Sequence, residues 1–303
     1  MVVYSHSRLS SFEQCPFKFK LRYIDKIIPE VEMSIEAHLG GCVHDALEWL
    51  YGEAKEGRVP TLDELIVNYS RCWEETFSPD FVIVRKHFDA KHYFNQGVKF
   101  LIDYYTTHQP FDDGTLELEK KIFVDIEGYK LIGFIDRLVL NRDTGEYEIH
   151  DYKTANSLPS QEKIDSDRQL ALYAIAIKDL FGQDKEVALV WHYLAYNKKI
   201  CSKRTNEQLA QLKKETKELI EKIESATEFL TEKSPLCDWC EYKAMCPEWG
   251  GKPPAPEGVF SDTQTNRSAS EQKGIPKGHE TSESKKEVQN DLGKYPTVGK
   301  YLR

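Results

Sequence analysis

The sequence predicts an α/β fold in which a mixed central β-sheet is flanked by helices. Three observations carry this. Three consecutive β-runs, at 115–126, 129–140 and 146–154, are joined by short turns containing glycine; a helical pattern and a further β-run follow them; and longer helical patterns precede them. With 303 residues, 40% of them hydrophobic, the chain is long enough to bury a sizeable core.

At the N-terminus, Ser7 is placed to cap a helix at 8–14 and Pro16 to start another at 16–24, with Cys15 at the junction. Leu9, Phe12, Phe17, Phe19 and Tyr23 are read as core packing. Lys18, Lys20, Arg22 and Lys26 form a basic cluster that suits a phosphate or a solvated helix face equally well. After an acidic loop that follows Pro29, the stretch from Leu39 to Leu50 enters a helix past Gly40 and Gly41. His44 and Glu48, four apart, share one side of it. A lone helical histidine is more often structural than a ligand. Thr61 and Glu64 make a capping box opening a helix at 62–77, and another helix spans 85–108. These belong to a helical insertion at about 52–112 with no assigned chemistry, in which Cys72 reads as a buried apolar filler.

The β-runs ending at Leu140 and starting at Glu146 form a hairpin whose loop is Arg142–Gly145. A register pairing Asn141 with Glu146 sets Asp136 opposite Asp151. Alternation puts Asp151 and Lys153 on one face and Tyr152 on the other. For an arbitrary pair of strand aspartates, solvation with Lys153 as an offsetting charge is the commoner reading. Two carboxylates opposed across a ladder repel, however, and a hard cation such as Mg²⁺ or Mn²⁺ would neutralise them. Downstream, the helix at 166–181 sets Gln169 and Tyr173 one turn apart. A β-run at 186–196 follows. Thr205 to Gln208 then opens an amphipathic helix to about Thr231.

Seven cysteines without a secretion signal argue for metal or free thiols over disulfides. Cys237, Cys240 and Cys246 cluster within 237–246, and either tetrahedral zinc or a [4Fe–4S] cluster needs a fourth ligand. Beyond Trp249 the composition turns to Gly, Pro, Ser, Thr, Lys and Glu, so 250–303 is predicted to be a disordered tail.

Gly-Phe-Ile-Asp-Arg at 133–137, Asp-Tyr-Lys at 151–153 and Gln-x-x-x-Tyr at 169–173 resemble, in this order and on these elements, motifs II to IV of the PD-(D/E)XK nuclease superfamily. The order is most similar to the RecB-type exonucleases, including the CRISPR-associated nuclease and the AddB-like proteins. Gly40-Gly41 followed by His44 resembles motif I.

The resemblance implies a restriction-endonuclease-like core over 1–249. Its Mg²⁺ or Mn²⁺ would be held by His44, Asp136, Asp151 and the Tyr152 carbonyl, with Glu48 behind them. Lys153 would orient or deprotonate the attacking water and Gln169 would position Lys153 or the DNA backbone. Tyr173 and Arg137 would contact substrate. Cys15, in a Ser-x-Phe-x-x-Cys-Pro-Phe stretch, would join Cys237, Cys240 and Cys246 in a split iron–sulfur staple, leaving out Cys42, Cys72 and Cys201. Zinc is the rival metal on spacing alone.

The expected activity is a metal-dependent DNA nuclease, as an exonuclease in DNA repair, recombination or CRISPR-type DNA processing. The rival is a nuclease-fold DNA-binding module whose hydrolysis is vestigial, working with a helicase or integrase partner. The net charge of −9 argues against a long non-specific DNA track, so phosphate binding is expected to be local. No Gly-x₄-Gly-Lys-Ser/Thr stretch is present, so unwinding would come from a partner. No run approaches a membrane span and the first residues lack an apolar leader, so the expected location is the cytoplasm.

Overall fold

A computed structural model describes residues 2–29 and 33–253. The predicted disordered tail lies outside the described residues, apart from its first four positions.

The N-terminal strand β1 (Val3–Ser5) leads into α1 (His6–Gln14), capped by the Ser5 hydroxyl rather than by Ser7. The short α2 (Pro16–Phe19) follows and continues as a π-turn over Lys20–Ile24. The helix carrying His44, α3 (Ile35–Lys55), starts before Gly40 and Gly41 and is capped by Ser34. Gly40 has a packing reason to lie inside it, since an added Cβ would sit 3.3 Å from Thr154 Oγ1. The insertion supplies α4 (Leu62–Thr76), with the Thr61–Glu64 capping box formed, and α5 (Ala90–His108), capped by Asp89. The latter begins later than its periodicity suggests, because residues before Asp89 take turns instead.

The meander is β2 (Thr115–Ile126), β3 (Tyr129–Leu140) and β4 (Tyr147–Lys153). Glu127 and Gly128 both have positive φ, as a two-residue hairpin turn requires. After it come α6 (Gln161–Asp165), α7 (Gln169–Phe181), β5 (Val187–Tyr193), β6 (Lys198–Lys203) and α8 (Asn206–Ser225). The sequence reading has no counterpart for β1, α6 or β6, all short; it starts the α7 pattern early, at 166, and carries the α8 pattern past its observed end to about Thr231.

The six strands form one mixed sheet in the order β1-β3-β4-β5-β6, with β2 paired to β3. β2–β3, β3–β4 and β5–β6 are antiparallel, whereas β1–β3 and β4–β5 are parallel. A first core layer, on one side of the sheet, unites Leu9, Phe12, Ile135, Ile149, Trp191 and the apolar face of α7. A second unites α3, α4 and α5 with Tyr152 and Leu194.

One topological feature creates the cleft. β2 occupies one edge of β3 along its length, while β1 and β4 share the other edge. β1 pairs at Lys130–Ile132 and β4 only at Arg137–Leu140. Residues 133–136 therefore lie between two diverging neighbours, the kind of switch point at which open α/β sheets form crevices.

Candidate active site

The observed β3–β4 register pairs Arg137 with His150, and the Asn141 N–H donates to the Glu146 carbonyl at 2.9 Å. Continued by one residue, this register sets Asp136 against Asp151. There the ladder has ended, and the Tyr152 N–H donates to Asp136 Oδ2 at 3.1 Å in place of a backbone carbonyl. Both carboxylates are buried, at 4% and 2% exposure.

His44 reaches this point from α3. Its Nε2 donates to the Tyr152 carbonyl at 2.8 Å and its Nδ1 lies 3.3 Å from Asp136 Oδ2. With the ring proton on Nε2, the Nδ1 lone pair faces a carboxylate oxygen. A cation at this point relieves that contact.

Glu119, which the sequence reading missed, joins the same cluster. It follows Leu118, the partner of Arg137, and precedes Lys120, the partner of Ile135, so it faces Asp136 across the β2–β3 ladder. Its φ of 44° is left-handed, an uncommon state for a non-glycine residue in a strand. Ligand atoms of His44, Glu119 and Asp136 lie within 4.8 Å of one another. Carboxylate oxygens and one imidazole nitrogen form a donor set suited to a divalent ion of the Mg²⁺ or Mn²⁺ class.

Asp151 and Lys153, which share one face of β4, also reach Gln169 at the start of α7. Lys153 Nζ is 2.7 Å from Asp151 Oδ2 and donates to Gln169 Oε1 at 3.1 Å. Gln169 Nε2 donates to Asp151 Oδ1 at 3.3 Å, closing a triangle. Burial pushes the Asp151 carboxyl up, the Lys153 charge opposes this, and Asp136 adds to it. Burial alone would lower the Lys153 ammonium, but the charge and hydrogen bond of Asp151 outweigh it and hold it above the usual lysine range. The Lys153 side chain remains 27% exposed, so the amine reaches solvent.

Two hollows meet at Lys153. One, of about 170 Å³, is lined by Gly40, His44, Glu119, Asp151 and Thr154. The other, of about 720 Å³, runs along α1 past Lys18, Arg22, Phe134, Gln169 and Tyr173. Tyr173 lies so close to β3 that a Cβ on Gly133 would sit 2.2 Å from its ring. Only glycine leaves that room. Lys18 and Arg22 both pair with Glu241.

Arg137 corrects the sequence reading. It is not at the cleft: adjacent to Asp136 but on the opposite side of the sheet, it is 1% exposed and cannot touch a substrate. Its guanidinium pairs with Asp113, donates to the Tyr152 hydroxyl at 2.9 Å and to His150 Nδ1 at 2.8 Å, and covers the Tyr51 ring at 3.9 Å. His150 also contacts Glu148 and His192. Burial first, then the Arg137 charge, push His150 far below the usual histidine range; burial, His150 and Arg137 do the same to His192.

Away from these hollows, Cys15, Cys237, Cys240 and Cys246 line one common cavity. Cys15 comes from the α1–α2 junction; Cys237 lies in the tight turn Pro235–Trp239, Cys240 directly follows it, and Cys246 sits between the turns Lys243–Met245 and Pro247–Trp249. Cys42, Cys72 and Cys201 do not line it. Cys72 is half-buried and packs against the second core layer.

Comparisons with known proteins follow the same lines. A model of the PD-(D/E)XK nuclease superfamily matches residues 3–247. No curated protein matches the chain. Similar solved structures include a protein from Eubacterium rectale designated a candidate exonuclease, with 12% identity, 79% of this chain and 87% of that one covered, and a TM-score of 0.45. Another is the protein SSO0001, with 14% identity, 77% and 94% coverage and a TM-score of 0.33. Among the described residues, no helix is long and apolar enough to cross a membrane.

Proposed function

The chain belongs to the PD-(D/E)XK nuclease superfamily, and from that premise we propose that it is a Mg²⁺- or Mn²⁺-dependent deoxyribonuclease of the RecB type. It acts as an exonuclease in DNA repair, recombination or CRISPR-type DNA processing in the cytoplasm, with a helicase or integrase as partner. The observation that carries this reading is the convergence of His44, Glu119 and Asp136 on one point beside the Asp151–Lys153 pair, at the mouth of a cleft.

In this reading His44, Glu119, Asp136, Asp151 and the Tyr152 carbonyl hold the metal. When bound, the metal polarises a phosphoryl oxygen and makes water a competent nucleophile. The chain's own groups do the rest. The Lys153 amine orients the attacking water and offsets charge gathering on the scissile phosphate, and Gln169 fixes the amine by the hydrogen bond it already makes. Tyr173, which lines the larger hollow, contacts the strand there, and burial of both aspartates keeps bulk water from weakening these interactions.

Residues 1–249 form the nuclease domain, with the helices of 52–112 as an insertion. Cys15, Cys237, Cys240 and Cys246 bind one [4Fe–4S] cluster that ties the two ends of that domain together; their shared cavity supports a common ligand group, and zinc is the alternative occupant. Visible absorbance and acid-labile sulfide in anaerobically purified protein separate the two.

The test of the activity uses end-labelled single- and double-stranded DNA with Mg²⁺ or Mn²⁺. Wild-type protein should release labelled nucleotides, and Asp136→Ala and Lys153→Ala proteins should release them far more slowly. DNA binding without cleavage under either ion would replace this reading with that of a vestigial, DNA-binding nuclease fold.

A further inference from the structure

Between α3 and α4 two thiols touch that the proposed hydrolysis does not use. Cys42 and Cys72 are 30 residues apart in sequence, and their Sγ atoms are 2.9 Å apart. That is about 1 Å beyond the ~2.05 Å of a disulfide bond. Around Cys42 the other polar neighbours are farther off, Thr76 Oγ1 at 3.7 Å and His38 Nε2 at 3.9 Å. Asp45 Oδ2 lies 3.7 Å from the Cys72 sulfur. Among the described residues, each sulfur has the other as its closest polar partner.

Burial is asymmetric. Cys42 is 2% exposed, whereas Cys72 is half-buried. Cys42 instead faces a small internal cavity lined by Met33, His38, Thr76 and Phe81, which Cys72 does not line.

We propose that Cys42 and Cys72 are a site of reversible covalent modification, closing to a disulfide when a hydroperoxide oxidises one of them. The more exposed Cys72 sulfur attacks the peroxide O–O bond. One oxygen becomes the sulfenic acid of Cys72 and the other leaves as water for hydrogen peroxide, or as an alcohol for an organic one. Cys42 then attacks the Cys72 sulfur, and its proton departs with the sulfenic hydroxyl as water. Two thiols lose two electrons and two protons, and the peroxide is reduced by two electrons. The bond joins α3 to α4 two positions before His44, so oxidation fixes the helix that carries the site histidine.

The experiment uses the full-length protein, purified reduced, desalted and treated with a small excess of hydrogen peroxide. Thiols are then alkylated and the digest is mapped by mass spectrometry. The expected product is a linked peptide pair joining Cys42 to Cys72, about 2 Da lighter than its two thiol forms together and separated again by dithiothreitol. Oxidation should raise the melting temperature by on the order of 5 °C. A Cys72→Ser protein should show neither the link nor the rise. Sulfinic or sulfonic acid at Cys72 without a linked pair would overturn the proposal. So would links confined to the other five cysteines. The wild-type map decides this even if Cys72→Ser folds poorly.

Discussion

The two sides of β4 carry similar inventories of polar residues to opposite ends. On the side of α7, Asp151, Lys153 and Gln169 form a triangle whose amine is still partly exposed. On the side of α5, His150 and Tyr152 meet Arg137, Tyr104 and His192 in a network closed to solvent. In the closed network the partners are protein groups, so it fixes where Tyr152 and its carbonyl stand. The open side keeps bonding capacity turned to a cleft, where it can act on something that enters. Position relative to the end of the β3–β4 ladder, not residue type, separates chemistry from scaffolding here.

The largest effect expected from breaking this comparison is on the open side. Lys153→Ala should lower the rate of DNA cleavage by about 10²–10⁴-fold, the usual contribution of a positioned proton-transfer group. Its melting temperature should stay close to wild type. Steady-state rates and a thermal scan on the same sample check both halves.

On the closed side the signs reverse. Arg137→Met removes the cation around which Asp113, Tyr152 and His150 are arranged, and should cost about 3 kcal/mol of stability. Urea unfolding measures this. If Arg137 gripped substrate instead, the variant would lose DNA affinity at unchanged stability.

Glu119→Gln sharpens the boundary between the two sides. As a metal-site residue it should raise the Mn²⁺ concentration for half-maximal binding by about 10-fold. Calorimetric titration of Mn²⁺ into the protein without DNA reads this, and an unchanged affinity would remove Glu119 from the site.

The smallest effect is the pH response of the closed network. His150 and His192 have folded-state pKa values well below the unfolded value near 6.5, so protons bind preferentially to the unfolded chain. Stability is then full above about pH 6.5 and falls as pH decreases below it, by up to on the order of 1 kcal/mol per histidine per pH unit. His6 and His38, lowered to about 3 and about 4 chiefly by burial, act in the same direction. The urea midpoint should drop between pH 7.5 and 5.5, and less steeply in a His150→Gln, His192→Gln protein.

Much of the meander was legible because turn chemistry fixes register. Asn141 to Glu146 set the β3–β4 pairing, and the bounds of β2 and β3 follow from alternation. The same logic applied to Glu127-Gly128 would have found Glu119, since pairing Ile126 with Tyr129 carries Glu119 opposite Asp136. Its left-handed backbone has no sequence signal, because glutamate is not a residue that favours positive φ. Arg137 was misplaced for a different reason: a cation beside an acidic motif reads as a phosphate contact unless the partners that bury it are known. Those partners, Asp113, Tyr104 and Tyr51, come from a loop and two helices far away in sequence.

By itself the sequence determined the alternation, the caps and the turns, all set by interactions among residues a few positions apart. Only the tertiary structure decided which polar residues are closed off and which face a cleft. That depends on β1 and β4 sharing one edge of β3 and diverging around residues 133–136, a long-range packing outcome that local periodicity does not encode.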